Sequence, residues 1–176
     1  HYPLRRQRQM CIRDSLDTET HTLNGQPIEI AYAPVEIVEH KISLDKSRLF
    51  DQLYSCDEAI SFAAMAVHHI LESDLEGQPH YTTFRLPDET VYMIGHNIDY
   101  DVRAIEKCGV DTSKIKAICT LALARRVWPD AEAHNISALI YMITKGSERA
   151  REMIRKAHRA DTVSYTHLRA HETEAD

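Results

Sequence analysis

A change of hydrophobic period partway along the chain limits its architecture more than any other feature. Pro27 to Ala33 and Val35 to Ile42 alternate, with β-branched and aromatic residues, as strands do. The turn at Asn24-Gly25 joins the first of them to a strand that ends within Leu16 to Thr20. Ala59 to Leu71 is rich in Ala, Met and Ile and reads as a helix, and Glu76 to Asp88, with Gly77, Pro79 and Pro87, reads as loop. Beyond it the pattern switches. Val91 to Gly95 and Ile115 to Cys119 are short apolar runs of buried-strand length, each followed by a helical segment. The first helix carries Val102, Ile105 and Cys108 inward and stops at Gly109. The second is capped by Thr120, carries Leu121, Ala124 and Trp128, and is stopped by Pro129. Asn135 caps a further helix with Ile136, Leu139, Ile140 and Ile143 on one face, ended by Gly146, and Ser147 to Ala160 reads as the last. Three strands followed by alternating strand and helix predict an α/β fold, a mixed sheet with helices on its faces.

Composition removes several classes of function. No apolar run approaches the roughly 18–20 residues of a membrane span, so no membrane partner is expected. Four scattered cysteines (Cys11, Cys56, Cys108, Cys119) form no Cys-x-x-Cys pair. That argues against a disulfide scaffold or structural zinc and fits a reducing cytoplasm. The net charge of −6 excludes a broad basic surface for coating nucleic acid. A polyanionic partner would have to be handled locally, with cations supplying the positive charge.

The two ends are related through DNA rather than through protein. Met10 to Ser15 can be coded ATG TGT ATA AGA GAC AG, and the reverse complement of that string translates as Val-Ser-Tyr-Thr-His, the residues at Val163 to His167. Protein physics does not make opposite ends of a chain antisense to each other. Residues 1–15 and 163–176 are therefore expected to be non-native tails derived from a sequencing adapter, with an incomplete domain at 16–162 between them. The alternative is a basic arm and a His-rich tail. On the adapter reading, Ile12 to Ser15 replace the upstream half of a central strand, and Asp14 is an acid where an apolar residue is expected.

Three short motifs carry chemistry. Asp17-Thr18-Glu19 places carboxylates at i and i+2, which a strand puts on one face. Two hard oxygen ligands so placed can hold Mg²⁺ or Mn²⁺ beside a phosphate, although acid pairs at this spacing also arise by chance. His96-Asn97-Ile98-Asp99-Tyr100-Asp101 follows a buried strand and opens a helix, so that Asp101 can turn back toward the strand end. An acid in a first helical turn is also favoured by the helix dipole alone. His158-Arg159-Ala160-Asp161 offers a histidine that can take a proton from water.

In this order and spacing the three motifs resemble the DEDDh branch of the DnaQ-like 3′–5′ exonucleases. Their pattern is Asp-x-Glu, then His-Asn-x-x-(Phe/Tyr)-Asp, then His-x-Ala-x-x-Asp. The resemblance extends through Pro27 to Ala31, Ala64 to His68 and Cys119 to Pro129, and covers essentially Leu16 to Asp161. It implies a ribonuclease H-like mixed five-stranded sheet flanked by helices, truncated here at both ends. Asp17, Glu19 and Asp101 are implied as metal-binding carboxylates and His158 as general base. Two divalent ions (Mg²⁺ or Mn²⁺) are implied with them, Asp17 touching both. One ion would acidify a water that His158 helps to deprotonate; the other would stabilise the leaving 3′-oxygen. The implied partner is the 3′ end of DNA, single-stranded or frayed. Thr18, Thr20, Leu23, His96, Asn97 and Tyr100 are candidate substrate contacts, although Leu23 and Tyr100 suit core packing as well.

The chain departs from the pattern in places. Thr22 stands where the family often has Gly, and the fourth carboxylate, expected at position 163, is Val163. Asp161 is a fallback ligand, and Asp99 is out of phase with Asp101. His68-His69 could ligate a metal, but adjacent side chains point apart, which favours a surface or substrate-loop role. Arg125 and Arg126 are expected to be solvated, and Trp128 to pack and stop its helix. The alternatives are a nucleic-acid-binding fragment without turnover and an RNA-trimming relative using the same acids.

Overall fold

The computed structural model describes residues 11–38 and 41–155. Six strands form one sheet: β1 (Cys11–Thr20), β2 (Pro27–Val38), β3 (Lys41–Leu44), β4 (Phe50–Leu53), β5 (Tyr92–Gly95) and β6 (Lys116–Cys119). Its order is β3-β2-β1-β5-β6, with β4 also on β2, so the sheet is five strands across and mixed. β1 runs antiparallel to β2 and parallel to β5, and β5 is parallel to β6. Among the described residues five α-helices accompany it: α1 (Phe62–His68), α2 (Asp99–Lys107), α3 (Thr120–Val127), α4 (Ile136–Ile143) and α5 (Glu148–Arg155).

Two expected strands, 27–33 and 35–42, are largely one. β2 runs through Pro34 because the missing N–H falls where neither neighbour needs it. Glu29 to Tyr32 pair with β4 and Val35 to Val38 with β3, so Pro34 sits between the two ladders. On its other side the pairing with β1 shifts register between Ile12 and Ser15. The Pro34 carbonyl accepts from Asp45 N at 2.9 Å. β4 was hidden in sequence because it is four residues long and holds Asp51 and Gln52. Its Phe50 stands opposite Tyr32 and the rings stack, with centroids 4.7 Å apart.

Helix ends follow local chemistry. Ser61 accepts from Ala64 N and His69 adopts φ 61°, so α1 is shorter than the 59–71 expected. Asn135 caps α4 by accepting from Ala138 N at 2.9 Å, as expected. Thr120 does not cap. It is the first helical residue of α3, and its hydroxyl donates to Gly95 O at 3.2 Å, which ties α3 to the end of β5. α5 is described to Arg155, and the rest of the expected 147–160 helix lies outside the described residues.

Leu16, Ile30, Met93, Ile98, Ile105 and Cys108, with Tyr54 and Phe84, bury one face of the sheet against α2 and the 81–86 segment. Burial of each such large side chain stabilises by roughly 1.5–3 kcal/mol. A second cluster joins Ile28 to Ile60, Ile70 and Leu75. Gly95 permits the close approach that closes the main core, since a Cβ there would lie 2.7 Å from Ile98 Cδ1 and 3.0 Å from the Leu16 carbonyl. No helix among the described residues is long and apolar enough to cross a membrane.

Candidate active site

Register across β1 and β2 gives the two strands chemically different faces. Leu16 pairs with Tyr32 and Thr18 with Ile30, and these side chains face the core. Ser15 pairs with Ala33, Asp17 with Ala31 and Glu19 with Glu29 on the other face. Directly opposite residues of an antiparallel pair project to the same side, so Asp17, Glu19 and Glu29 form one acidic group and the alanines add no bulk beside it. Glu29 is fully buried and was not singled out from the sequence. Its signal was there: an acid at alternate register in the otherwise apolar run Pro27 to Ala33.

Asp101 reaches the same place from α2. β5 ends at Gly95, which leaves the edge of β1 without a strand partner beyond it. Asp101 fills that role. Its Oδ1 accepts from Thr18 N and from Thr18 Oγ1, both at 2.9 Å, and the residue is 4% exposed. Both donors of Thr18 thus serve Asp101, so this buried threonine stands behind the carboxylates.

Crowding and burial dominate the electrostatics. The Asp17 carboxyl is held well above its ordinary value, first by burial and then by Asp101, Glu19 and Glu29. Glu19 is pushed up to about 8 by burial, Glu29 and Asp101. Asp101 rises to about 7 because burial outweighs the bonds from Thr18 and the nearby Arg103. Anionic groups forced together in this way favour a cation or a shared proton. The donors are all hard oxygens, the set that suits Mg²⁺ or Mn²⁺ rather than zinc. No three His, Cys, Asp or Glu side chains among the described residues stand arranged as a ready-made cation site. Here Asp101 is turned onto Thr18.

The remaining candidates divide. Thr20 is buried, its hydroxyl shares a short hydrogen bond with the Tyr100 hydroxyl, and it donates to Thr22 O at 2.7 Å. Leu23, at the tip of the β1–β2 turn, is 84% exposed. Asn97 is exposed with φ 68°, and its carbonyl accepts from Tyr100 N at 2.9 Å, which opens α2. His96 is engaged inside the fold: Nε2 lies 2.7 Å from His134 O and Nδ1 lies 3.1 Å from Thr120 Oγ1. Burial lowers its pKa, outweighing the bond to the His134 carbonyl. It ties β5 to the loop before α4.

The paired histidines point apart as expected, but His68 is buried rather than at the surface. Its Nδ1 accepts from Ile70 N at 3.0 Å. His21 was not anticipated. Buried at the turn, its Nδ1 accepts from Gln26 N at 2.8 Å and its carbonyl from Ser61 N at 2.8 Å, so it fixes the turn and docks α1 on it. Arg125 and Arg126 are exposed on α3. His158, Asp161 and Val163 lie outside the described residues.

No family model matches the chain. Exodeoxyribonuclease 10 from Escherichia coli K12 is 31% identical over 129 residues, which cover 69% of this chain and 51% of that protein. The same protein from Escherichia coli O6:H1 matches equally. The chain thus spans about half the length of the curated relatives it matches. Among solved structures, exonuclease X in complex with 5′ overhanging duplex DNA superimposes with a TM-score of 0.64 at 26% identity, covering 93% of this chain and 92% of that one.

Proposed function

Because the chain is a DnaQ-like exonuclease by sequence and fold, similar to exonuclease X, we propose that it removes nucleotides from the 3′ ends of DNA in a reaction that depends on divalent metal. The observation that carries this reading is the convergence of Asp17, Glu19 and Asp101, from β1 and α2, into one crowded acidic site. Those three residues would hold Mg²⁺ or Mn²⁺, two ions in all. When bound, such ions acidify water and offset the charge gathering on a phosphodiester under attack.

The chain's own residues supply position. Asp17 and Glu19 are paired through β1 with Ala31 and Glu29 of β2, which keeps their spacing fixed. Thr18 sets the orientation of Asp101 through two hydrogen bonds. Thr20 and Tyr100 brace the β1–β2 turn against α2, where Leu23 presents an apolar surface on which a terminal base can stack. His158 is proposed to take the proton of the attacking water.

The test is an oligonucleotide labelled at its 5′ end and incubated with Mg²⁺. Stepwise shortening from the 3′ end is expected, and Asp17→Ala should slow it by at least about a hundredfold. If the two proteins behave alike, the proposal is wrong. Equal or faster shortening of RNA would reassign the substrate.

A second reading is motivated by Val163, which stands where the fourth carboxylate of the resemblance belongs. On it, residues 1–15 and 163–176 are adapter-derived and the chain binds nucleic acid without turnover. Val163→Asp should then raise both Mn²⁺ affinity and cleavage, and sequencing the source DNA across both junctions should reveal the native codons. Identical Mn²⁺ affinity with and without the change contradicts it.

A further inference from the structure

Beside the carboxylates a cavity of about 440 Å³ opens between the β1–β2 turn and α2. Thr20, Asn24 and Gly25 line one wall; Tyr100, Arg103 and Lys107 line the other. The walls are tied at both ends. At one end the Tyr100 and Thr20 hydroxyls share a hydrogen bond; at the other, Lys107 Nζ donates to the Asn24 carbonyl. The cavity is therefore held open before anything enters it, and it is large enough for a sugar and its phosphate.

Its charge is opposite to that of the molecule. Arg103 and Lys107 are four residues apart on α2 and so share a face. No acidic side chain lines the cavity, in a chain of net charge −6. No described carboxylate forms an ion pair with either cation. Arg103 is exposed, and Lys107 still has two donors after bonding Asn24. The position is also specific. Thr20 and Tyr100 are the immediate chain neighbours of Glu19 and Asp101, so an anion held here is contiguous with a phosphate held through metal at those carboxylates.

We infer that this cavity receives the backbone phosphate and sugar of the nucleotide that precedes the one being released, with Arg103 and Lys107 as its phosphate contacts. The inference rests on the proposed exonuclease reading and gives that site its second nucleotide position. Acidic residues handle the scissile phosphate through metal, whereas the preceding phosphate, further from any ion, meets side-chain cations directly.

Two substrates separate the positions. A short 5′-fluorescein oligonucleotide fills both, whereas the p-nitrophenyl ester of thymidine 5′-monophosphate fills only the cleaved one. For Arg103→Gln the expected result is a roughly tenfold higher KM on the oligonucleotide, with kcat within about twofold. Lys107→Met should act in the same direction on the oligonucleotide. Hydrolysis of the ester should be unchanged in Lys107→Met, and in Arg103→Gln should fall by much less than hydrolysis of the oligonucleotide, that part reflecting the charge Arg103 offsets at Asp101. Anisotropy in EDTA should show weaker oligonucleotide binding and a salt dependence shallower by about 0.7 per lost contact. Unchanged oligonucleotide binding in both variants overturns the inference. Equal loss on ester and oligonucleotide also overturns it, because that places Arg103 at the cleaved nucleotide, and so does a matching loss of inhibition by free thymidine monophosphate. A protein that cleaves neither substrate but binds DNA through Arg103 would refute the exonuclease reading and support the subsite.

Discussion

The two faces of the β1–β2 pair are built from the same twenty or so residues and are put to opposite uses. On one, Leu16, Ile30 and Tyr32 pack with Met93, Ile98 and Phe84, and the contribution is stability. On the other, Asp17, Glu19 and Glu29 stand side by side, and burial with the neighbouring acids raises the cost of ionising Asp17 and Glu19. Alternation makes this possible, because a strand can send every second residue into a core and the rest into a charged site. The strand is held from its apolar side, and that hold lets its acidic side stay electrostatically unfavourable.

The largest expected effect comes from the apolar face. Leu16 is fully buried at the centre of the main cluster. Leu16→Ala should therefore lower stability by about 2–5 kcal/mol, measured by urea unfolding. A loss under about 1 kcal/mol would mean that the main core does not depend on β1. On the acidic face the sign reverses: Asp17→Asn should leave the metal-free protein as stable as before or more so, since it removes a crowded charge.

A smaller effect is tied to pH. Glu19 moves from an ordinary value of 4.5 to about 8 in the folded protein. A carboxyl whose folded value is raised contributes stability that is whole below 4.5 and is lost as pH rises through about 8. Asp101, raised to about 7, acts in the same direction. Metal-free protein should melt at progressively lower temperature between those limits. Added Mn²⁺ should raise the melting temperature most at the alkaline end, where the carboxylates are ionised. A melting temperature that rises over the same span, or a Mn²⁺ effect greatest in acid, would contradict the crowded-site picture.

What the sequence disclosed follows the same division. Short-range patterns were legible: the alternation in Pro27 to Ala33, the Asn135 cap, and the i, i+2 spacing of Asp17 and Glu19. What required register was not. Glu29 becomes part of the acidic group only because β2 pairs with β1 so that it faces Glu19. Pro34 read as a break because only the flanking ladders show that its missing donor is not needed. His96 belongs to a conspicuous motif, yet both its nitrogens bond residues 24 and 38 positions away. Thr18 reads in sequence as a candidate substrate contact, yet its hydrogen bonds go to Asp101, 83 residues away.

That last contact gives the smallest of the effects and the finest probe of the comparison. Thr18 faces the core side of β1, yet it acts on the acidic side by turning Asp101 toward β1. Thr18→Val keeps the shape and removes one of the two bonds to Oδ1, the other coming from the backbone. The stability cost should be only about 1 kcal/mol. Metal response should change more than stability does, because a carboxylate bonded once can rotate. Half-saturation by Mn²⁺, read from the melting temperature, should shift severalfold, while Thr18→Ser restores it. If Thr18→Val moves the melting temperature of the metal-free protein but not the Mn²⁺ midpoint, Thr18 belongs to the apolar face alone, and Asp101 is oriented by α2 without it.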